Sequence, residues 1–279
     1  MKNLEENSYN QQIEEFIFWL EKEGKAESTI KTYLSVLDKF HKWLEGKDLQ
    51  SVKQMDVQNY ISHLEQENKS PGTVEKYLAA LSVYARFSGI SDIILNIEKK
   101  EKVKDLTNPD FLNEQEAERL LSDVEKDGNL RNIAIIYLLL HTGIKISEMC
   151  SLNRSDIEIT DDKGKVYIRN NNIVERMIPL SSRVVKHLER YMQTLNYHVE
   201  ALFVTTVNKR ISPRGIQYML EKYEVNPNKL RHTFCKRLVD KGVDVHTVSR
   251  LAGHKDINVT KRYLNEDNID LEKAINQAF

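Results

Sequence analysis

The chain has 279 residues, 40% of them hydrophobic and 30% charged, with a formal net charge of −1. That length and apolar content suffice for two ordinary domains with cores of their own. No apolar run approaches the roughly 20 residues needed to span a bilayer, and the opening Met1-Lys2-Asn3-Leu4-Glu5-Glu6 is acidic and polar, unlike a signal peptide, so an intracellular, cytoplasmic protein with no membrane partner is expected.

From about Tyr9 to Ile97 the patterning is helical throughout. One segment runs through Ile13, Phe16, Ile17 and Leu20. A second places Ile30, Tyr33, Leu34, Leu37, Phe40, Trp43 and Leu44 on one face, with Ser28 available as an N-cap. A third carries Val57, Tyr60, Ile61 and Leu64. A fourth opens at Ser70-Pro71, where proline suits the first helical turn, and presents Val74, Tyr77, Leu78, Leu81, Tyr84 and Ala85. Four such helices with short connections predict a small bundle, its aromatics expected as core residues ahead of the alternative, base-stacking platforms. Ser28, Thr29, Lys31, Thr32, Lys69 and Thr73, near helix starts, either touch a phosphate backbone or form a solvated face.

The charged run Glu98-Lys99-Lys100-Glu101-Lys102-Val103-Lys104-Asp105 lacks a hydrophobic face and leads into the turn-like Thr107-Asn108-Pro109-Asp110. It predicts a linker over 99–110 between an amino-terminal domain, 1–98, and a second domain, 111–279. Such a connector either lets two domains close around a rod-shaped ligand or is a plain spacer.

Asn113 followed by Glu114, Glu116 and Glu118 opens a helix that buries Ala117, Leu120, Leu121 and Val124, its acidic first turn suiting the helix dipole. The nearly continuous apolar run from Asn132 to His141 predicts a central buried helix that stops at Thr142-Gly143, and a short helix from Ile146 to Leu152 follows. Strand signals fall only between Ile157 and Leu180. Lys165 to Arg169 and Val174 to Pro179 alternate with period two about Asn170-Asn171-Asn172, the pattern of a hairpin with an asparagine-rich tip. Helices are then expected over Ser182–Leu195, Ser212–Tyr223, Asn228–Lys241, Val245–Leu251, Asn258–Leu264 and about Ile269–Ala278. The fold is therefore expected to be mainly α, a four-helix amino-terminal domain plus a mostly helical second domain with a small antiparallel sheet.

Cys150 and Cys235 sit among apolar helical residues without metal-ligand spacing, which predicts reduced core thiols and no metal site. The near-zero net charge conceals an asymmetry: from Val225 to Tyr263 there are nine basic residues against three acidic. Within that basic stretch stand a guanidinium, Arg231, an imidazole, His254, and a phenol, Tyr263. Together they suit phosphate chemistry, in which cations hold the non-bridging oxygens, the imidazole moves a proton and the phenol oxygen attacks phosphorus. Taken singly, each has a plainer explanation: a packing tyrosine, a Gly-His helix stop, an arginine that ties helices together.

Several stretches in this order resemble the tyrosine recombinase family, also called the phage-integrase or Xer-type family. His141-Thr142-Gly143-Ile144-Lys145-Ile146-Ser147-Glu148-Met149 resembles its first box, and Glu175-Arg176-Met177-Ile178-Pro179-Leu180 its sheet motif. Leu230-Arg231-His232-Thr233-Phe234 resembles its second box, and Leu251-Ala252-Gly253-His254 and Tyr263 complete the set. The resemblance implies that the amino-terminal bundle is a SAM-like core-binding domain and the rest a catalytic domain ending in an exchange helix. That helix would use Leu271, Ala274, Ile275 and Phe279 either to dock on a neighbouring protomer or to fold back on its own domain.

By the same resemblance, Arg231 holds the scissile phosphate of double-stranded DNA, His254 hydrogen-bonds to it, and Tyr263 forms a 3′-phosphotyrosyl link that preserves bond energy, without cofactor or metal. His232 either supports the site or packs its helix. Lys229, Lys236, Arg237, Lys255, Lys261 and Arg262 are the expected DNA contacts. The implied assembly is a homotetramer on synapsed sites, alone or with a second recombinase or accessory protein. The early start of the bundle leaves no arm-binding domain, which favours a simple resolvase or Xer-like system over a large integrase.

Three positions depart from the family pattern. Lys145 stands where the first box has arginine, keeping the charge but losing the planar fork. Asn171 aligns with a hairpin lysine that protonates the leaving 5′ oxygen, with Lys165 or Arg169 as substitutes in another register. Asn228 stands where the second box begins with histidine or lysine. Losing one preorganised donor costs on the order of 10²–10³ in rate, and such losses do not add within one site. The first expectation is a working site-specific recombinase acting in integration, resolution or excision of a mobile element or replicon. The alternative is a sequence-specific DNA-binding or architectural protein with a weakened site; a third reading, a helix-turn-helix regulator across Val245–Tyr263, leaves the hairpin and both upstream motifs unexplained.

Overall fold

The computed structural model describes residues 2–100, 109–195 and 198–264. The chain divides into two compact units, Met1–Leu106 and Thr107–Phe279.

Among the described residues the first unit holds four α-helices: α1 (Lys2–Lys22), α2 (Glu27–Trp43), α3 (Gln54–Gln66) and α4 (Pro71–Phe87). Their apolar faces meet in one core, centred on Phe16, Leu20, Leu37, Phe40, Ile61 and Leu81. The aromatics pack inward, Phe16 edge-on to Tyr84 at 5.3 Å and Phe40 against Tyr60 at 4.9 Å between ring centres. Helix α4 starts as its sequence dictates: the Ser70 hydroxyl accepts a hydrogen bond from the Thr73 N–H, and Pro71, which has no N–H to satisfy, takes the first position. Helix α2 departs from expectation at its start. Ala26 occupies the cap with no side-chain hydrogen bond, and Ser28 lies inside the first turn, where its carbonyl accepts from the Thr32 hydroxyl. After α4 the chain is tied back to α3, because the Gln58 side chain bonds both the N–H and the C=O of Glu98, and Glu65 accepts from the Lys100 N–H. Residues 101–108 of the expected linker lie outside the described residues.

The second unit is built on α6 (Leu130–Thr142), whose residues from Ile133 to Leu140 are all buried. Preceding it is α5 (Glu114–Lys126), opened by a reciprocal Asn113–Glu116 capping box. The short α7 (Ile146–Ser151) follows, then a three-stranded antiparallel sheet in the order β1 (Ile157–Thr160), β2 (Lys163–Asn170), β3 (Ile173–Leu180). The sequence singles out the β2–β3 hairpin but not β1, a strand of four residues. Asn171 and Asn172 form the two-residue tip with φ of 48° and 65°, the left-handed pair that an asparagine tolerates and a right-twisting hairpin requires. Helices α8 (Ser182–Met192), α9 (Pro213–Glu221), α10 (Pro227–Asp240), α11 (Val245–Ala252) and α12 (Asn258–Lys261) follow among the described residues. Helix α12 is a single turn, shorter than the expected Asn258–Leu264, and the expected helix at Ile269–Ala278 lies outside the described residues. Among the described residues no helix is long and apolar enough to cross a membrane.

Candidate active site

The site forms where the end of α6, the start of α7, strand β3 and helices α10 to α12 converge. Helix α6 ends on Gly143 in the left-handed conformation, φ 59°. Glycine is required there twice over: a Cβ would sit 2.3 Å from the Phe234 ring of α10, and its φ is one that side-chain-bearing residues avoid. The close approach lets Arg231, on α10, donate through Nη1 to the Gly143 carbonyl at 2.5 Å. Arg231 is 8% exposed. Burial works against its positive charge and Arg176 adds repulsion, while Glu148 and Tyr263 pull the other way. A guanidinium held in this state gains from a docked anion.

Arg176 on β3 ties the parts together. Its guanidinium grips Glu148 of α7 through both nitrogens, at 3.0 and 2.8 Å, and its Nε donates to the Leu251 carbonyl of α11 at 2.9 Å. Burial raises the affinity of Glu148 for a proton, but the Arg176 hydrogen bonds and the Lys145 N–H prevail and hold the carboxyl below the usual range. The same Glu148 carboxylate caps α7 by accepting from the Lys145 backbone N–H at 2.8 Å. Gly253, left-handed at φ 69°, ends α11, and a Cβ there would strike Arg176 at 2.6 Å. One arginine thus fixes the turn that carries Lys145 and the turn that carries His254.

The His254 Nδ1 is bonded to the Thr260 hydroxyl at 2.7 Å. Burial, followed by the charges of Arg231 and Lys145, lowers its pKa to about 4, so the ring is neutral near pH 7. Tyr263, just past α12, is 2% exposed, and its hydroxyl lies 2.5 Å from His232 Nδ1 on α10. Burial raises the phenol pKa well above its ordinary value, and the Cys235 thiol alongside raises it further, against a lowering by Arg231. Cys235 is itself fully buried and pushed up to about 11 by burial. Among the described residues no group of acidic, His and Cys side chains is arranged to hold a metal ion.

The phage integrase family model matches residues 110–268, and a model for the family's N-terminal SAM-like domain matches residues 12–88. The chain belongs to the phage integrase family of tyrosine recombinases. Among similar proteins, the tyrosine recombinase XerA of Thermococcus kodakarensis is 29% identical, the match covering 96% of this chain and 95% of XerA. XerC of Staphylococcus saprophyticus is 34% identical over 60% of each chain. The Tn1549 transposon integrase in complex with a circular intermediate DNA has a TM-score of 0.72 at 20% identity, covering 96% of this chain and 98% of that one. XerH bound to a palindromic difH substrate, a post-cleavage complex, has a TM-score of 0.71 at 20% identity, covering 88% and 78%. At these identities the two structures speak for the fold.

Of the positions that the family resemblance marks, the structure gathers Arg231, His232, His254 and Tyr263, with Lys145 beside them. Lys145 and His254 line one groove, together with Arg176, Ser249, Arg250 and Lys255. Asn171 does not line that groove; it is exposed at the hairpin tip. Asn228 is exposed one turn before Arg231 and His232. Lys165 and Arg169, the alternative hairpin cations, are engaged elsewhere, Lys165 with Glu158 at 3.6 Å and Arg169 with Asp156 at 2.7 Å. Of the six expected DNA contacts, Lys255, Lys261 and Arg262 are exposed and Arg237 is half-buried. Lys229 reaches Asp110 at 3.1 Å. Lys236 differs from expectation: it is buried, paired with Asp240 and laid over the Phe111 ring, because it sits on the inward side of α10. Sequence reading assigns no role to Glu148, Arg176, Thr260 or Cys235. Only the first two carry a signal, by falling inside the first box and the sheet motif.

Proposed function

We propose that this chain is a site-specific DNA recombinase in which Tyr263 attacks a backbone phosphate and forms a 3′-phosphotyrosyl link. The observation that carries this reading is the convergence of Arg231, His254 and Tyr263, from α10 and the turns after α11 and α12, beside Lys145. Arg231 and Lys145 supply positive charge for the non-bridging oxygens, and neutral His254 supplies a hydrogen bond whose geometry Thr260 sets. As the phosphate gains charge in the transition state, these preorganised groups stabilise it without having to reorganise. The exposed Lys255, Lys261 and Arg262 extend the positive surface along the backbone of the duplex.

In this reading residues 1–98 form the core-binding domain, 99–110 the connector and 111–279 the catalytic domain. Four protomers synapse two sites in the cytoplasm, alone or with a second recombinase or accessory protein, and the carboxy-terminal segment couples neighbours. The test uses a duplex built from a site footprinted with this protein and nicked so that the 5′-hydroxyl fragment diffuses away after cleavage. A denaturation-resistant protein–DNA adduct is expected, and Tyr263→Phe should abolish it. Retarded mobility without any adduct would refute strand cleavage and leave a DNA-binding protein.

A further inference from the structure

Resting on that reading, we infer that His232 is the proton acceptor for the tyrosine nucleophile, a role for which Asn228, in the second box, has no titratable group. The geometry is direct: His232 Nδ1 lies 2.5 Å from the Tyr263 hydroxyl, the reacting atom. Positions 228 and 232 are one helical turn apart on the same face of α10, and helical side chains lean towards the amino terminus. A histidine at 232 therefore covers the surface next to position 228. The other imidazole nearby has one nitrogen engaged, since His254 Nδ1 is bonded to Thr260, and its ring lies nearly parallel to the Tyr263 ring with centres 6.5 Å apart.

The charge environment keeps His232 ready to accept. Burial comes first in lowering its pKa, followed by Arg231 from its own helix and Arg262 from the segment after α12, against an opposing pull from Asp110. A neutral ring with an unprotonated Nδ1 accepts the phenol proton and leaves the oxygen's lone pairs for phosphorus. A phosphate bound at Arg231 offsets the repulsion that disfavours the imidazolium, so substrate binding itself strengthens the base.

The step balances. A Tyr263 oxygen lone pair forms the bond to phosphorus while the bond from phosphorus to the 5′ oxygen breaks. The phenol proton passes to His232 Nδ1, the leaving oxygen takes a proton from water, and the imidazolium returns its proton to the hydroxide so formed. Religation runs the same path backwards.

The test pairs a chemical readout with a spectroscopic one on the full-length protein. In single-turnover cleavage of the nicked duplex, His232→Gln should lower the rate by about 10²–10⁴-fold. The wild-type rate should level off above the His232 pKa, while that of the variant should keep climbing with tyrosine ionisation. In the DNA-free wild-type protein, ¹⁵N NMR should show His232 as the Nε2–H tautomer with Nδ1 accepting. An adduct formed at equal rates and with the same pH profile by wild type and His232→Gln overturns the assignment and leaves the recombinase reading intact. A protonated Nδ1 in the neutral ring overturns it as well. No adduct from wild type overturns both.

Discussion

Replacing Gly143 by alanine perturbs the turn on which the site is built, and the structure allows its cost to be separated into two parts. Any side chain at φ 59° carries the left-handed penalty, about 1–2 kcal/mol. The added methyl also meets the Phe234 ring at 2.3 Å, and that ring is buried in the cluster formed with Cys235, Val248, Ala252 and Tyr263, so overpacking adds about 1–3 kcal/mol. Gly128 supplies the control, since it has φ 67° in the same unit but nothing within 4 Å of the place a methyl would occupy. Gly128→Ala therefore carries the backbone penalty alone. Urea and thermal unfolding of the two variants should differ by about 1–3 kcal/mol, or roughly 2–12 °C in Tm for a unit of this size. Gly143→Ala should also weaken retention of Arg231 by shifting the carbonyl it donates to, and so depress adduct formation below that of Gly128→Ala. Equal destabilisation by both substitutions would refute the claim that the Gly143–Phe234 contact sets the approach of α6 to α10.

Arg176→Met removes one side of a nearly buried, bidentate ion pair and strands Glu148, so a loss of about 3–5 kcal/mol is expected by urea unfolding, and a change under about 1 kcal/mol would contradict the clamp. Acid should destabilise the second unit through His141 and His254, both lowered from 6.5 to about 4, chiefly by burial. The unfolded state then binds more protons than the folded state between those values, so stability falls as pH drops from about 6.5 towards 4. His141→Gln should flatten that part of the stability curve; an unchanged slope would mean that His141, whose buried Nε2 has no hydrogen-bond partner among the described residues, is not held neutral. Lys145→Arg restores a planar fork beside His254 and should raise the single-turnover cleavage rate about tenfold or more, whereas no change would place position 145 out of reach of the phosphate.

Much of this protein was legible in one dimension because local rules sufficed. The period-3.6 faces of α2, α3 and α4, the Ser70-Pro71 start, the Asn113–Glu116 box and the asparagine turn at 171–172 depend on neighbours within a few residues, and the structure contains each of them. Where a local rule misled, tertiary context decided: α2 begins at Ala26 without the Ser28 cap because packing of Ile30 and Leu37 fixes the helix regardless. Similarly, Lys236 reads as a cation available to DNA until the fold buries it against Phe111 and Asp240.

The amino-acid sequence by itself determined which residues are present in the site and in what order. It supplied Arg231, His254 and Tyr263 in a basic stretch, and it withheld an arginine at 145 and ionisable groups at 171 and 228. Only the tertiary structure decided which of them meet, because hydrogen bonds act over about 3 Å and join residues far apart in sequence. It brought His232 to Tyr263, 31 residues on, and Arg176 to Glu148, 28 residues back. It also closed Gly143 and Gly253 onto neighbours that leave no room for a side chain. These contacts supply an imidazole hydrogen-bonded to the Tyr263 hydroxyl and a clamp for the two turns that carry Lys145 and His254, neither of which the sequence alone discloses.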